Sequence, residues 1–338
     1  MTQPPLRLHF NENTAGCSPA VIRALAALDV TEISHYETDV ATTAAIAGWF
    51  GVDPSWVLPA NGLDEGILLA SQLALVDTRA DYEGIIVEPA FEEYAAAVTA
   101  MCGDVVRVMP APEFAFDPQR VLAHATTRTR VVYLCDPNNP TGLGLARSDV
   151  ETLADALPNA AIFVDEAYAD FSGRTLIGPG LVDRPNLIVG RTFAKGHGLA
   201  ALRIGALIAA PATIARVRKL ALPFRINIAA AVGLRAAFAD RAHLDQTVAD
   251  ARASKAMLTE MCGRLGLATW PSAANFQLIR VGAGAADCVA WMEGRGVRIR
   301  DRSRLPGCEG CVRITAGPAA HTGRAIELFE EWYALGNR

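Results

Sequence analysis

Short apolar runs, each bounded by turn residues and separated from the next by a helical stretch, set the tightest limit on what this chain can become. Ile85-Ile86-Val87, Val105 to Met109, Val131-Val132-Tyr133-Leu134, Ala161 to Val164, Leu187-Ile188-Val189 and Ile204 to Ala209 are each of buried-strand length. One helix opens at Pro89-Ala90-Phe91, and another runs from Arg147 to Leu157. Near-continuous apolar strands alternating with helices predict an α/β fold, a mostly parallel sheet covered on both faces. Such sheets bind their ligands outside the carboxyl ends of the strands. Asn139, Asp165 and Lys195 each follow the C-terminal end of a predicted strand. Three polar groups far apart in sequence are therefore expected in one crevice.

The flanking segments frame that sheet. Ser18-Pro19 reads as a helix cap followed by proline at the first helical position, with Val21, Ile22, Leu25 and Leu28 as the inner face. Ser34-His35-Tyr36-Glu37 is a connector, and Asp39 to Phe50 is a helix. Leu58-Pro59-Ala60-Asn61-Gly62-Leu63-Asp64-Glu65-Gly66 reads as a turn leading into an apolar helix that ends near Val76. Residues 227–264 are Ala-rich and helical. Strands follow at Phe276 to Val281, Val297-Arg298-Ile299 and Cys311 to Thr315, with helices at Cys288 to Glu293 and Thr322 to Leu335. This is a smaller α+β lobe. The expected division is an N-terminal arm with part of the small domain (1–34), a large domain (35–226), and a small C-terminal domain with its connecting helix (227–338).

A chain of 338 residues, 51% hydrophobic, can bury a sizeable core. A net charge of -5 without any basic run argues against nucleic acid as a partner. No apolar run reaches the length of about 18 residues that would span a membrane. The stretch MTQPPLRLHF lacks the apolar core of a signal peptide. Seven scattered cysteines fit reduced thiols. A cytoplasmic protein is expected. Cys308-Glu309-Gly310-Cys311 has no second ligand pair at a zinc-site spacing, so it reads as a turn, and no metal is expected.

The stretch Leu187 to Ala209 carries the most chemistry. Lys195 sits among glycines between two strand-like runs, which is not the setting of a solvated surface lysine. An amine there can form a Schiff base, and Arg203 can act as a fixed phosphate fork. Gly196-His197-Gly198-Leu199-Ala200-Ala201 also fits a loose dinucleotide fingerprint, but no acidic residue follows at about 20 residues to hold a ribose. The Gly62 turn is an anion cradle in outline: free backbone N–H groups and a helix dipole at one point. Strand alternation puts Arg313 and Thr315 on one face of the last strand and Val312 and Ile314 on the other.

Asn139-Pro140-Thr141-Gly142, Asp165-Glu166-Ala167-Tyr168 and Lys195 to Arg203, in this order, resemble the class I/II pyridoxal-phosphate aminotransferases of fold type I. The histidinol-phosphate aminotransferase branch is the most similar. The resemblance runs from Asn11-Glu12-Asn13 to Arg313 and implies the cofactor pyridoxal 5'-phosphate. It implies a large domain with a mostly parallel mixed sheet and a small α+β domain. Lys195 would carry the cofactor covalently and shuttle the substrate's proton. Asp165 would face the pyridine nitrogen and keep it protonated. Asn139 and Tyr168 would hydrogen-bond the ring oxygen, and Phe91 would stack on the ring. The backbone of Leu63 and Asp64, with Thr192 and Arg203, would hold the phosphate. Tyr36 would reach the phosphate of the partner subunit, making a homodimer with a shared active site. Arg313 would grip the substrate's acidic group, and Asn11 and Ala15 match positions that line the substrate.

The chain departs from the family at several of these places. Ala194 stands where a serine is usual before the lysine. Ala15 removes a ring from the position that lines an imidazole substrate, and His35 and Glu37 flank Tyr36 in place of arginine and proline. The implied activity is a ping-pong transfer of an amino group between an amino acid or amine, with histidinol phosphate the named candidate, and a 2-oxo acid. The threonine-phosphate decarboxylases share these motifs, so a decarboxylase is the alternative. A non-catalytic cofactor-binding module, such as the sensor half of a regulator, is a third reading.

Overall fold

A computed structural model describes residues 4–78, 81–181 and 183–336. Its strands are β1 (Leu6–Arg7), β2 (Val57–Ala60), β3 (Glu83–Val87), β4 (Asp104–Val108), β5 (Thr129–Cys135), β6 (Ala161–Asp165), β7 (Leu187–Thr192), β8 (Gly205–Ala209), β9 (Ala268–Thr269), β10 (Phe276–Arg280), β11 (Val297–Arg298), β12 (Arg300–Asp301) and β13 (Cys311–Thr315).

The large sheet has seven strands in the order β2-β8-β7-β6-β5-β3-β4. Four neighbouring pairs are parallel, from β7–β6 through β3–β4, while β8 runs antiparallel to both its neighbours. Both faces are covered, as the unbroken apolar runs require. Val132, Val164, Val189 and Ile208 belong to a core on one face. Their neighbours Tyr133, Phe163, Ile188 and Leu207 belong to a core on the other. The alternation follows from the two-residue period of a strand. Each such side chain, fully buried, contributes about 1.5–3 kcal/mol.

The chain runs from β3 outward to β4, then returns to β5 on the other side of β3. That reversal opens a crevice at the carboxyl ends of the strands. Strand β2 completes the same end. The register aligns Ala60 with Gly205 and Gly205 with Thr192, so the start of the helix Gly62–Thr78 lies beside the end of β7.

The smaller sheet, in the order β12-β13-β10-β9, is antiparallel, and β1 pairs separately with β11. The helices Arg241–Leu265, Ala285–Glu293 and Ala319–Ala334 supply Leu258, Met292 and Trp332 to the core over it.

Some expectations are corrected. Leu58-Pro59-Ala60 lies in β2, not in a turn. Proline interrupts the apolar reading, yet β2 is an edge strand, where a missing N–H costs nothing. Ile22 is exposed instead of facing inward; the helix Pro19–Ala26 buries only Val21. A further short helix, Val30–Ser34, precedes the connector and is closed by a capping box from Asp29 and Glu32. All seven cysteines are unpaired, with Cys308 and Cys311 buried. Among the described residues no helix is long and apolar enough to cross a membrane, and no group of three or more potential ligands could hold a metal ion.

Candidate active site

A cavity of about 370 Å³ opens where the carboxyl ends of β5, β6 and β7 meet the small sheet and the N-terminal arm. Asn139, Asp165, Tyr168, Thr192, Lys195, Arg203 and Arg313 all line it, together with Leu63, Asp64, Phe91 and Asn11. The side chains expected to converge do so.

Asp165 ends β6 and is buried. Its Oδ1 accepts the N–H of Ala167 at 2.8 Å, and its Oδ2 accepts the hydroxyl of Tyr94 at 2.7 Å. Burial pushes its pKa up to about 6, and the two hydrogen bonds pull against that rise. Tyr94 stacks on Tyr133 at 5.1 Å and meets the edge of Phe91. Tyr133 is itself tied to Ser71 and to the carbonyl of Ile67. The carboxylate is thus aimed by a chain of buried rings.

Lys195 lies in the turn after β7, half-buried and open to the cavity. Its Nζ donates to the carbonyl of Phe10 at 2.9 Å. Burial and the charge of Arg313 lower its pKa to about 8. An ammonium in such a place gives up its proton near neutral pH, which a nucleophilic or basic amine requires. The arm is fastened to the same turn, since Asn13 Nδ2 donates to the carbonyl of Gly196.

Arg313 on β13 is buried. Its Nη1 donates to Asn139 Oδ1 at 2.5 Å and its Nη2 to the carbonyl of His9 at 2.7 Å, while its buried Nε has no partner. Because Asn139 spends its oxygen on Arg313, its amide nitrogen remains the donor that can face a ligand. Asn11 Nδ2 donates to the Tyr168 hydroxyl at 3.0 Å, which leaves that hydroxyl's proton to point elsewhere. Burial raises Tyr168 to about 12, so it stays a donor.

The phosphate cradle is equally local in origin. Gly62 has φ +73, a left-handed conformation that disfavours any side chain, and a Cβ there would push the Arg203 guanidinium aside. The helix it opens carries Asp64 and Glu65 in its first turn, and Glu65 accepts the N–H of Asn61 at 2.6 Å. Arg203 is paired with Asp64 at the rim. Both are well exposed, so an incoming anion displaces that pair at small cost. The Thr192 hydroxyl accepts from the N–H of Ala194 at 3.2 Å, which frees its own proton for a ligand.

One expected site residue is not brought here. Ala15 is exposed and does not line the cavity. Asn13 accepts the Ala15 N–H, and Gly16 N closes on the Asn13 carbonyl, so the turn throws Ala15 outward. Tyr36 is 80% exposed and stacks on Phe224 at 4.5 Å, away from the cavity of its own chain. Conversely, Tyr94, His9, Phe10, Arg300 and Arg302 line the cavity and were not singled out. Tyr94 lies three residues after Phe91, which caps the helix Glu92–Ala100, and the two rings meet edge-on at 5.8 Å.

Residues 4–329 match the family described as aminotransferase class I and II. Histidinol-phosphate aminotransferase 2 of Carboxydothermus hydrogenoformans is 32% identical, over 95% of this chain and 89% of its own. Histidinol-phosphate aminotransferase 2 of Ralstonia nicotianae is 35% identical, over 96% and 88%. The structure of histidinol-phosphate aminotransferase from Sinorhizobium meliloti, in complex with pyridoxal-5'-phosphate, superposes with a TM-score of 0.85 at 26% identity, over 97% of this chain and 91% of that one. A match along almost the whole chain, with the lysine, carboxylate and arginine gathered in one cavity, makes this chain a member of the class I and II aminotransferase family.

Proposed function

We propose that this aminotransferase holds pyridoxal 5'-phosphate in the cavity and moves an amino group from an amine or amino acid, histidinol phosphate the named candidate, to a 2-oxo acid. The observation that carries the reading is the meeting of Lys195, Asp165 and Arg313 around one space. When bound, the cofactor supplies an aldehyde for amines and a ring that takes up an electron pair. The residues fit it at both ends. The Gly62 turn, the N–H groups of Leu63 and Asp64, Thr192 and Arg203 suit its phosphate. Asp165 suits a protonated ring nitrogen, because an ion pair offsets the burial that now raises its pKa.

The chain's own groups divide the work. Lys195 Nζ would take the proton from the amine-bearing carbon of the substrate and deliver it to the cofactor's aldehyde carbon, two bonds away, as an amine with a pKa near 8 can do in both directions. Asn139 Nδ2 and the Tyr168 hydroxyl would donate to the ring oxygen. Phe91 would cover one face of the ring. Arg313 grips the substrate's acid group, and Asn11 positions Tyr168. Ala194 lines the cavity without a hydroxyl, so Thr192 and Arg203 carry its share of the phosphate. We assign the region around the large sheet (35–226) to cofactor binding and residues 227–338, with the arm (1–34), to the substrate side.

We infer that the enzyme works as a homodimer. Val30, Ile33, Tyr36, Val40 and Leu222 are all strongly exposed, an apolar patch that a second copy would cover. Tyr36 would then reach the partner subunit's phosphate. Tyr36→Phe should weaken cofactor retention, and mixed dimers with a Lys195→Ala chain should recover one working site; no recovery would make its role local. Seven unpaired cysteines suit a reducing compartment, and we infer a cytoplasmic enzyme.

The decisive experiment is a panel of half-reactions. The loaded protein is mixed with single amines or amino acids, and the visible band is followed together with keto product and carbon dioxide. Histidinol phosphate is expected to bleach the band and yield the corresponding carbonyl compound. Release of carbon dioxide without keto product would favour a decarboxylase.

A further inference from the structure

Beneath the Lys195 turn lies a buried ion triad that the proposed chemistry does not use. Arg191 alternates along β7 with Thr192, which lines the cavity, so its side chain points to the other face of the sheet. There it is buried together with Glu166. Arg191 Nη1 donates to Glu166 Oε2 at 3.2 Å, and its Nη2 donates to Asp170 Oδ1. Asp170 belongs to the short helix Ala169–Ser172, and its side chain is 7% exposed. The guanidinium also lies over the ring of Phe50, at 5.0 Å.

Each member of the triad is tied to a different piece of the cavity. Glu166 follows Asp165, and Arg191 precedes Thr192. Glu166 is fastened further by the Thr175 hydroxyl at 2.5 Å and the Leu176 N–H at 2.6 Å. Asp170 packs against the turn itself: a Cβ on Gly196, the residue after Lys195, would lie 2.7 Å from Asp170 Oδ2. One planar fork therefore joins the strand end that carries the carboxylate to the turn that carries the amine.

Stability alone is a poor account of such a triad. Neutral residues of similar volume commonly serve a fold as well as a buried ion cluster or better. Here burial still raises the Glu166 pKa, with Arg191 working against the rise. The buried Nε of Arg191 has no partner among the described residues. What the triad supplies is direction. Two carboxylates on one rigid fork are fixed relative to β7 in a way that apolar contacts do not match.

We propose that Arg191 is a positioning residue of this aminotransferase: through Glu166 and Asp170 it sets where Asp165 and Lys195 stand relative to one another. The inference rests on the roles given to Asp165 and Lys195 under Proposed function. A misplacement on the order of 1 Å between reacting groups costs about a hundredfold in rate. A brace between these two residues thus has a use that folding does not require.

Two variants of the full chain separate position from stability. Arg191→Lys keeps the buried charge but replaces the fork with a single point. The triple variant Arg191→Met, Glu166→Gln, Asp170→Asn removes every charge of the triad, so no buried ion is left unpaired and it is expected to melt at or above Arg191→Lys. Two readings are taken on each. The first is the pH midpoint at which trinitrobenzenesulfonate labels Lys195 in ligand-free protein, followed by mass on its peptide. In wild type that midpoint is expected at about 8. The charges that act on Lys195, from Arg313, Glu12, Asp165 and Asp64, are untouched in both variants. A turn freed from its brace lets the amine reach water. The midpoint is therefore expected to rise by about one pH unit in both variants, a tenfold change in proton affinity. The second reading is the rate at which added pyridoxal 5'-phosphate raises the visible band of lysine-linked cofactor, expected to fall roughly tenfold or more in both. Readings displaced as far in the variant that melts higher as in the other support the proposal. Readings that return to wild type as the melting temperature returns, or wild-type readings in either folded variant, overturn it. If only one variant folds, its midpoint decides in the same way. A wild-type protein that shows no band marks failure of the cofactor reading, whereas the labelling midpoint still tests the brace.

Discussion

Replacing Lys195 with alanine is expected to abolish turnover by roughly six decades or more, about 8 kcal/mol of barrier, in a protein that still folds. The fold does not need the amine. Lys195 makes one hydrogen bond, to the carbonyl of Phe10, and burial already works against its charge. The proposed chemistry does need it: among the described residues, Lys195 is the only lysine lining the cavity. Borohydride treatment followed by peptide mass analysis is the check. Wild-type protein should carry the cofactor's mass on the peptide containing Lys195, and the variant should carry none. A reduced covalent adduct on the variant would end the assignment. The pH dependence gives a second reading. A lysine whose pKa is lowered to about 8 is the free amine above that value and the ammonium below it. Capture of added cofactor by wild-type protein should therefore quicken as pH climbs through about 8 and level off above.

The part of this site that was legible in the sequence is the part built by strong strands. β5, β6 and β7 each carry an unbroken apolar run, Val131 to Leu134, Ala161 to Val164 and Leu187 to Val189, so their ends, and with them Asn139, Asp165 and Lys195, were legible. The weak strands were not legible for an equally physical reason. β1, β9 and β12 hold two residues each, too few to show a period, and Pro59 disguised β2. Arg300 and Arg302 carried no signal of their own, because β12 cannot be seen until β13 pairs with it. Tyr94 stood out in no pattern; only the approach of β6 supplies the carboxylate that gives its hydroxyl a task. Ala15 could be matched to a position but not to a direction, and the direction is set by two hydrogen bonds that Asn13 accepts, from the N–H groups of Ala15 and Gly16. Tyr36 shows a different limit. A residue that serves another subunit leaves only exposure in its own.

Asp165→Asn should separate stability from function more sharply than any other change here. The folded protein raises this carboxyl from 3.8 to about 6. A raised acid binds its proton more tightly when folded than unfolded, so the ligand-free fold loses stability as pH rises from about 4 to 6, and the loss is complete above. A shift of that size corresponds to about 3 kcal/mol. Asparagine keeps the shape, can still accept from the N–H of Ala167, and can donate to the Tyr94 hydroxyl. Ligand-free variant protein should therefore melt higher than wild type at pH 7, measured by calorimetry. Turnover should move the other way, by several decades, roughly 4 kcal/mol or more, because nothing then keeps the ring nitrogen protonated. Tyr94→Phe grades the same effect. The Tyr94 hydrogen bond lowers the Asp165 pKa, so its removal lifts that pKa further. The acid limb of kcat/KM should move to higher pH, with a smaller loss at the plateau. A purely structural role for Tyr94 would lower the plateau and leave the limb where it was. Near-normal turnover in Asp165→Asn would remove the carboxylate from the chemistry, and a lower melting point would show that the buried charge is already compensated before any ligand arrives.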